Sequence, residues 1–230
     1  MEIRVEEDLT EANNRVAFRI RELLAKKGVL ALDLLSSPGS GKTTLIERTL
    51  ERLKGGATTA VIVGDVQTSR DQERIKKAGF EAVQINTGGG CHLTASMVEG
   101  ALGSLDLDQL DILFIENVGN LVCPAGFHLG EDMKVVLLST TEGDDKPGKY
   151  PAAFVAAAAM VVTKTDLLGR VPFDLEAAKR DALKINSRLK LFQLSALSGE
   201  GMEEWVSWIR GRAEEKRRSS VSRVLDGSKV

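Results

Sequence analysis

Phenylalanine, tryptophan and tyrosine together make up only 4% of this 230-residue chain. That is too few aromatic rings to build stacking platforms for nucleic-acid bases. Positive charge is not in excess either: 31 lysines and arginines stand against 33 aspartates and glutamates, a formal net charge of −2. Without a basic surplus the chain lacks the field that drives binding to a phosphate backbone, so nucleic acid is not expected as a partner. No continuous apolar run reaches the roughly 18 residues of a membrane span, so no membrane association is expected. The start, Met1 to Leu9, is acidic and lacks the apolar core of a secretory signal. The expectation is a cytoplasmic protein. Cysteine and histidine are scarce, at two each. All four (Cys91, His92, Cys123 and His128) fall in one central stretch. In a reducing compartment two cysteines do not suggest a structural disulfide. The gathering of every soft ligand into one region suggests a metal instead.

What is present is an apolar fraction of 43%, arranged as short runs alternating with helical periodicity. Strands are expected at 29–35, 59–63, 82–85, 111–116, 134–139, 160–163 and 191–194. Helices are expected at 9–27, 42–54, 71–78, 93–102, 174–185 and 201–214. This alternation predicts a single α/β domain with a mostly parallel sheet of about seven strands and helices on both faces. Residues 1–28 read as an N-terminal helical segment packed on the domain. Residues 29–215 read as the domain itself, and 216–230 as a polar, basic tail. Lys146-Pro147-Gly148 reads as an exposed loop.

The strand over 29–35 leads into Ser36-Ser37-Pro38-Gly39-Ser40-Gly41-Lys42-Thr43-Thr44 and then a helical pattern. Strand, glycine-rich turn and helix are the setting of a phosphate-binding loop. Gly39, Ser40 and Gly41 let successive backbone amides face the α- and β-phosphates, and the helix start adds partial positive charge. Lys42 reaches the β- and γ-phosphates, while the Thr43 hydroxyl ligates Mg²⁺ and Thr44 completes the nucleotide-binding set of the loop. The departure is Ser36, where the usual pattern opens with glycine. A nucleoside triphosphate is therefore the expected ligand.

Two further segments complete a GTPase pattern. Asp111 to Glu116 is a four-residue apolar strand between carboxylates, followed by Glu116-Asn117-Val118-Gly119. The Glu116 carboxylate holds Mg²⁺, and the Gly119 amide meets the γ-phosphate. Val161-Val162-Thr163-Lys164-Thr165-Asp166 resembles the Asn-Lys-x-Asp element of GTPases, with Thr163 for asparagine. Lys164 lies along the base, and Asp166 accepts from guanine N1 and N2, a donor pair that adenine lacks. Ser195-Ala196 fits the small-residue loop behind guanine O6. Gly64-Asp65-Val66-Gln67 lies where a first switch segment would be. There Asp65 is a second candidate for Mg²⁺, with a plain loop role as its alternative.

Asn86-Thr87-Gly88-Gly89-Gly90-Cys91-His92 places adjacent thiol and imidazole after three glycines, with Cys123 shortly beyond Gly119. A helix start just after His92 is expected to lower the Cys91 thiol pKa. Two thiolates and one imidazole suit Zn²⁺, or Ni²⁺ in a planar arrangement. Three ligands leave a fourth place, either open for transfer or filled by a second subunit. His128 is expected to face solvent.

Taken together, the phosphate loop, Gly64-Asp65, Cys91-His92, Glu116 through Pro124 and Ser139 through Gly143 resemble the hydrogenase nickel-incorporation GTPases of the HypB family, over nearly the whole chain. The resemblance implies a slow, Mg²⁺-dependent GTPase that forms homodimers. It also implies delivery of nickel to the large subunit of [NiFe]-hydrogenase, together with the partner HypA. Some members carry an N-terminal cysteine-rich or histidine-rich nickel stretch; this sequence shows neither, so nickel storage at the N-terminus is not expected. A urease-type GTPase chaperone would place Cys-Pro-His where this chain has Cys123-Pro124-Ala125. A small-molecule kinase with an incidental metal site would need an arginine-rich lid that the sequence does not show.

Overall fold

The computed structural model describes residues 5–65 and 70–227. In chain order the elements are α1 (Val5–Lys27), β1 (Leu30–Ser36), α2 (Lys42–Leu53), β2 (Thr59–Asp65), α3 (Arg70–Lys77), β3 (Glu81–Asn86), α4 (Ala95–Leu102) and β4 (Ile112–Glu116). They continue as α5 (Cys123–Gly126), β5 (Met133–Ser139), α6 (Lys146–Lys149), α7 (Pro151–Ala156), β6 (Ala157–Thr163), a 3₁₀ turn (Thr165–Leu167), α8 (Leu175–Ile185), β7 (Lys190–Gln193) and α9 (Met202–Gly227). The seven strands form one sheet in the order β3-β2-β4-β1-β5-β6-β7, every neighbouring pair parallel. Each strand expected from the sequence is present.

β1 is buried along its full length, as a nearly continuous apolar strand in the middle of a parallel sheet should be. Its alternate residues feed opposite cores. Leu30, Leu32 and Leu34 pack with Leu45, Ile46 and Leu50 of α2 and with Trp205 and Ile209 of α9. Ala31 packs on the other face with Ile20 and Leu24 of α1 and Val98 and Leu102 of α4. Leu35 joins Phe154 of α7 and Ala178 of α8 in a third cluster. Because all strands run the same way, every loop that follows a strand emerges at one edge. That edge carries Asp65, Asn86, Glu116, Ser36, Ser139 and Thr163, each the last residue of its strand.

Three differences from the sequence reading have local causes. The Lys146-Pro147-Gly148 segment is the helical turn α6, not an exposed loop. Proline fits a first helical turn, Pro147 is buried, and Lys146 Nζ donates to Ser37 Oγ at 3.2 Å. α9 runs past Glu214 to Gly227, because its continuation is held on the body. Lys216 pairs with Asp132 there, and Arg217 lies 3.4 Å from Asp111. α5 and α7 are four and six residues long, too short to leave a helical period in the sequence. Among the described residues no helix is long and apolar enough to cross a membrane.

Candidate nucleotide site and metal centre

Between β1 and α2 the chain makes a turn that only glycine adopts without strain, with φ of 75° at Gly39 and 92° at Gly41. Ser36, the departure from pattern, proves to be an anchor. Its hydroxyl accepts from Lys42 Nζ at 2.7 Å and from Ser40 Oγ at 2.5 Å. Burial holds the Lys42 ammonium below its ordinary pKa, so an anion in the loop would find a poorly solvated cation already in place. Thr43 Oγ1 donates to Glu116 Oε1 at 2.7 Å. The other carboxylate oxygen, Oε2, is buried with no hydrogen-bond partner. Burial pushes the Glu116 carboxyl up to about 7. A buried carboxylate oxygen without a partner, beside a threonine hydroxyl, is a donor set that suits Mg²⁺.

A cleft of about 580 Å³ is lined by the phosphate loop from Pro38 to Thr44 with Asp65, Asp71, Arg74, Glu116, Gly119 and Lys164. Gly119 closes against the loop: a Cβ there would stand 3.0 Å from Pro38 Cα. Ser36 and Asn120 form a short antiparallel bridge beside it. Of the first switch candidate, Gly64 and Asp65 line the cleft, whereas Val66 and Gln67 lie outside the described residues.

A second hollow of about 290 Å³ adjoins the loop and is lined by Ser40, Gly41, Thr44, Thr163, Lys164, Asp166, Ser195 and Ala196. All four residues expected to meet the base therefore gather in one place. Lys164 holds φ at +58°, alone among the described non-glycine residues. Its ammonium donates to Gly39 O at 2.8 Å and to Thr141 Oγ1 at 3.2 Å. Thr163 Oγ1 donates to Ser40 O at 2.7 Å, and Thr140 Oγ1 to Lys164 O at 2.8 Å. The base hollow is thus tied to the phosphate loop by the Thr163 hydroxyl and the Lys164 ammonium.

Cys91, His92 and Cys123 converge, their ligand atoms all within 4.8 Å of one another. Cys91 Sγ lies 3.4 Å from His92 Nδ1, and the His92 ring rests on Phe127 with centroids 4.0 Å apart. The Cys91 thiol is not lowered by a helix start. α4 begins only at Ala95, behind the Thr94 cap. The hydrogen bond with Cys123, and then burial, push the Cys91 thiol up. Burial lowers the His92 pKa, which favours the neutral imidazole that metals bind. The cluster sits at the rim of the molecule, with Cys91 exposed. Its two thiols and one imidazole suit Zn²⁺ or Ni²⁺. His128 stays out of the cluster. Its ring is half-exposed, with Nδ1 3.0 Å from Glu131 Oε1.

Residues the sequence reading missed lie beneath both sites. Asp33 of β1 and Lys134 of β5 are register neighbours in the sheet and form a fully buried ion pair at 2.8 Å. Glu131 and Asn117 are buried beside them. The available signal was a lone charge in each of two otherwise apolar strands.

Fold and site together define a P-loop nucleotide-binding protein that carries two thiols and an imidazole gathered beside its nucleotide loops. Residues 31–193 match the model of the CobW/HypB/UreG nucleotide-binding domain. The hydrogenase maturation factor HypB of Escherichia coli strain K12 is 52% identical over 207 residues, covering 90% of this chain and 71% of that protein. The hydrogenase/urease maturation factor HypB of Helicobacter hepaticus is 43% identical over 219 residues, covering 94% and 88%. The crystal structure of HypB from Helicobacter pylori in complex with nickel superposes with a TM-score of 0.85 at 39% identity, covering 90% of this chain and 97% of that one. This chain belongs to the hydrogenase maturation factor HypB family.

Proposed function

We propose that this chain is a Mg²⁺-dependent GTPase that binds nickel at Cys91, His92 and Cys123 and assists its insertion into [NiFe]-hydrogenase. The observation that carries this reading is one segment of chain serving two sites. Glu116 and Gly119 line the nucleotide cleft, and Cys123, only a few residues on, joins the metal cluster.

In this reading the amides from Gly39 to Thr44 cradle the phosphates. Lys42 leaves Ser36 for the β- and γ-phosphates, and Thr43 and Glu116 part to hold Mg²⁺, with Asp65 a further acid at the cleft. The bound cation neutralises charge that develops on the phosphates. Gly119 meets the γ-phosphate through its amide. Lys164 covers the base, Asp166 accepts from guanine, and Ser195 and Ala196 back its O6 edge. The nickel is cargo. A rim position with three ligands leaves room for a fourth from a recipient or a second subunit, which fits a homodimer working in the cytoplasm with HypA and the hydrogenase large subunit. Zn²⁺ satisfies the same donor set. Urease is a second recipient to consider, because the Helicobacter hepaticus relative is named for both enzymes.

Titration calorimetry with GTP, ATP and xanthosine triphosphate tests the base assignment. The parent should prefer GTP. Asp166→Asn should weaken GTP by roughly 10–150-fold, the loss of hydrogen bonds to a charged group, while sparing xanthosine triphosphate. Equal GTP affinity in parent and variant contradicts the assignment.

A further inference from the structure

The two halves of the metal cluster sit on segments with little stiffness of their own. Cys91 and His92 follow Gly88, Gly89 and Gly90, of which Gly88 and Gly89 hold φ of 60° and 99° with nothing close to where a side chain would be. Cys123 opens a helix of four residues, far below the length at which a helix is stable alone. Something else must fix their separation.

At the surface Asn120 Nδ2 donates to Cys91 O at 3.3 Å, and beneath it a buried hydrogen-bonded chain joins the two segments. Lys134 Nζ donates to the carbonyls of Pro124 at 3.2 Å and Phe127 at 2.8 Å, at either end of the Cys123 turn. It also meets Asp33 Oδ2 at 2.8 Å and Glu131 Oε1 at 3.4 Å. Asp33 Oδ1 accepts from Asn117 Nδ2 at 3.0 Å, and Asn117 Oδ1 in turn accepts from the amide of Leu93, next to His92, at 3.2 Å. A parallel strap passes through Asn13 of α1, which accepts from the Ala95 amide and donates to His128 O, both at 2.8 Å. Asn117 also lies between Glu116 and Gly119, inside the segment that lines the nucleotide cleft.

A buried ion pair contributes little net stability compared with apolar residues of the same volume. Its value here lies in what it orients. The buried partners of Asp33 and Lys134 lead to the two loops that bring metal ligands together, and to Asn117 in the nucleotide segment.

We propose that Asp33, Asn117 and Lys134 are positioning residues for the Cys91–His92–Cys123 cluster, holding its two loops at one separation and tying that separation to the Glu116–Gly119 segment. This rests on the reading of the cluster as a metal centre. None of the three touches the ion; they act through backbone atoms beside its ligands.

The test uses Asp33→Leu combined with Lys134→Met, which removes both charges together, and separately Asn117→Ala, which leaves the ion pair in place. Full-length parent and variants are titrated with Co²⁺ and Ni²⁺ in competition with a chelator, and the cobalt spectrum is recorded. Loss of groups that orient metal ligands typically costs about 10–100-fold in metal affinity, and that is the loss expected in both variants. The cobalt bands should change shape in both variants. Variants that bind both metals like the parent with an unchanged cobalt spectrum overturn the positioning role, whatever happens to their melting temperature. A parent without thiolate-to-cobalt absorption overturns the metal-centre reading and this inference with it. Should the double variant fail to fold, Asn117→Ala decides by the same measurements.

Discussion

Thr163 stands where a guanine-binding loop more often has asparagine, and Ser36 where a phosphate loop more often has glycine. Both substitutions are used: each side chain bonds to the phosphate loop, Thr163 to Ser40 O and Ser36 to Lys42 and Ser40. Lys42 is the residue whose loss should be plainest. Lys42→Ala removes the buried cation of the loop and should abolish GTP hydrolysis while far-UV circular dichroism stays unchanged. Normal turnover in that variant would move the active site elsewhere. Glu131 makes a prediction about acid. Burial alone would raise its carboxyl, but the hydrogen bond from His128, the charge of Lys134 and the Leu129 amide outweigh it and bring the pKa down to about 2. A carboxylate depressed below its ordinary 4.5 stabilises the fold above that value and loses its contribution as pH falls toward 2. Urea unfolding between about pH 5 and about pH 3 should show a steep loss of stability in the parent and a shallower one in Glu131→Gln. Equal slopes would contradict the buried ion cluster.

At the scale of elements, the Glu116–Gly119 segment lies close against the phosphate loop at Gly119 and Pro38. Gly119→Ala puts a Cβ about 3.0 Å from Pro38 Cα, so the segment must draw back by a few tenths of an ångström. Small misplacements of a catalytic segment are costly. The expected result is a fall in kcat of about 10- to 100-fold with an unchanged melting temperature, read by steady-state hydrolysis. A variant with parental kcat would show that the close approach has no part in turnover. The strands and long helices were legible because each leaves a period: continuous apolar runs for the buried strands, three- and four-residue spacing for α1, α2 and α9. The phosphate loop and the Cys91-His92 pair were legible because their chemistry is written in adjacent residues. α5 and α6, four residues each, were not, being set by the prolines and by tertiary contacts rather than by a pattern. Asp33, Asn117 and Lys134 were not either. Their meaning lies in the register that sets β1 beside β5 and in a loop folding back under the sheet edge, and neither is a property of neighbouring residues.

Across the whole molecule, one parallel sheet brings the loops of seven strands to a single edge, and on that edge the nucleotide cleft and the Cys91–His92–Cys123 cluster share the segment from Glu116 to Cys123. A γ-phosphate held by the Gly119 amide should fix that segment, and its loss should release it. Cys123 then moves while Cys91 and His92 remain on their own loop. Nucleotide state must therefore change metal affinity, and by thermodynamic linkage the metal must change nucleotide affinity by the same factor. The direct measurement is Ni²⁺ affinity of the parent protein by chelator competition, once loaded with GDP and once with a non-hydrolysable GTP analogue. The account predicts two different affinities, with the difference erased in Cys123→Ala. Identical affinities in the two nucleotide states of the parent would contradict it, leaving a nucleotide-binding protein and a metal site that share a chain but not a mechanism.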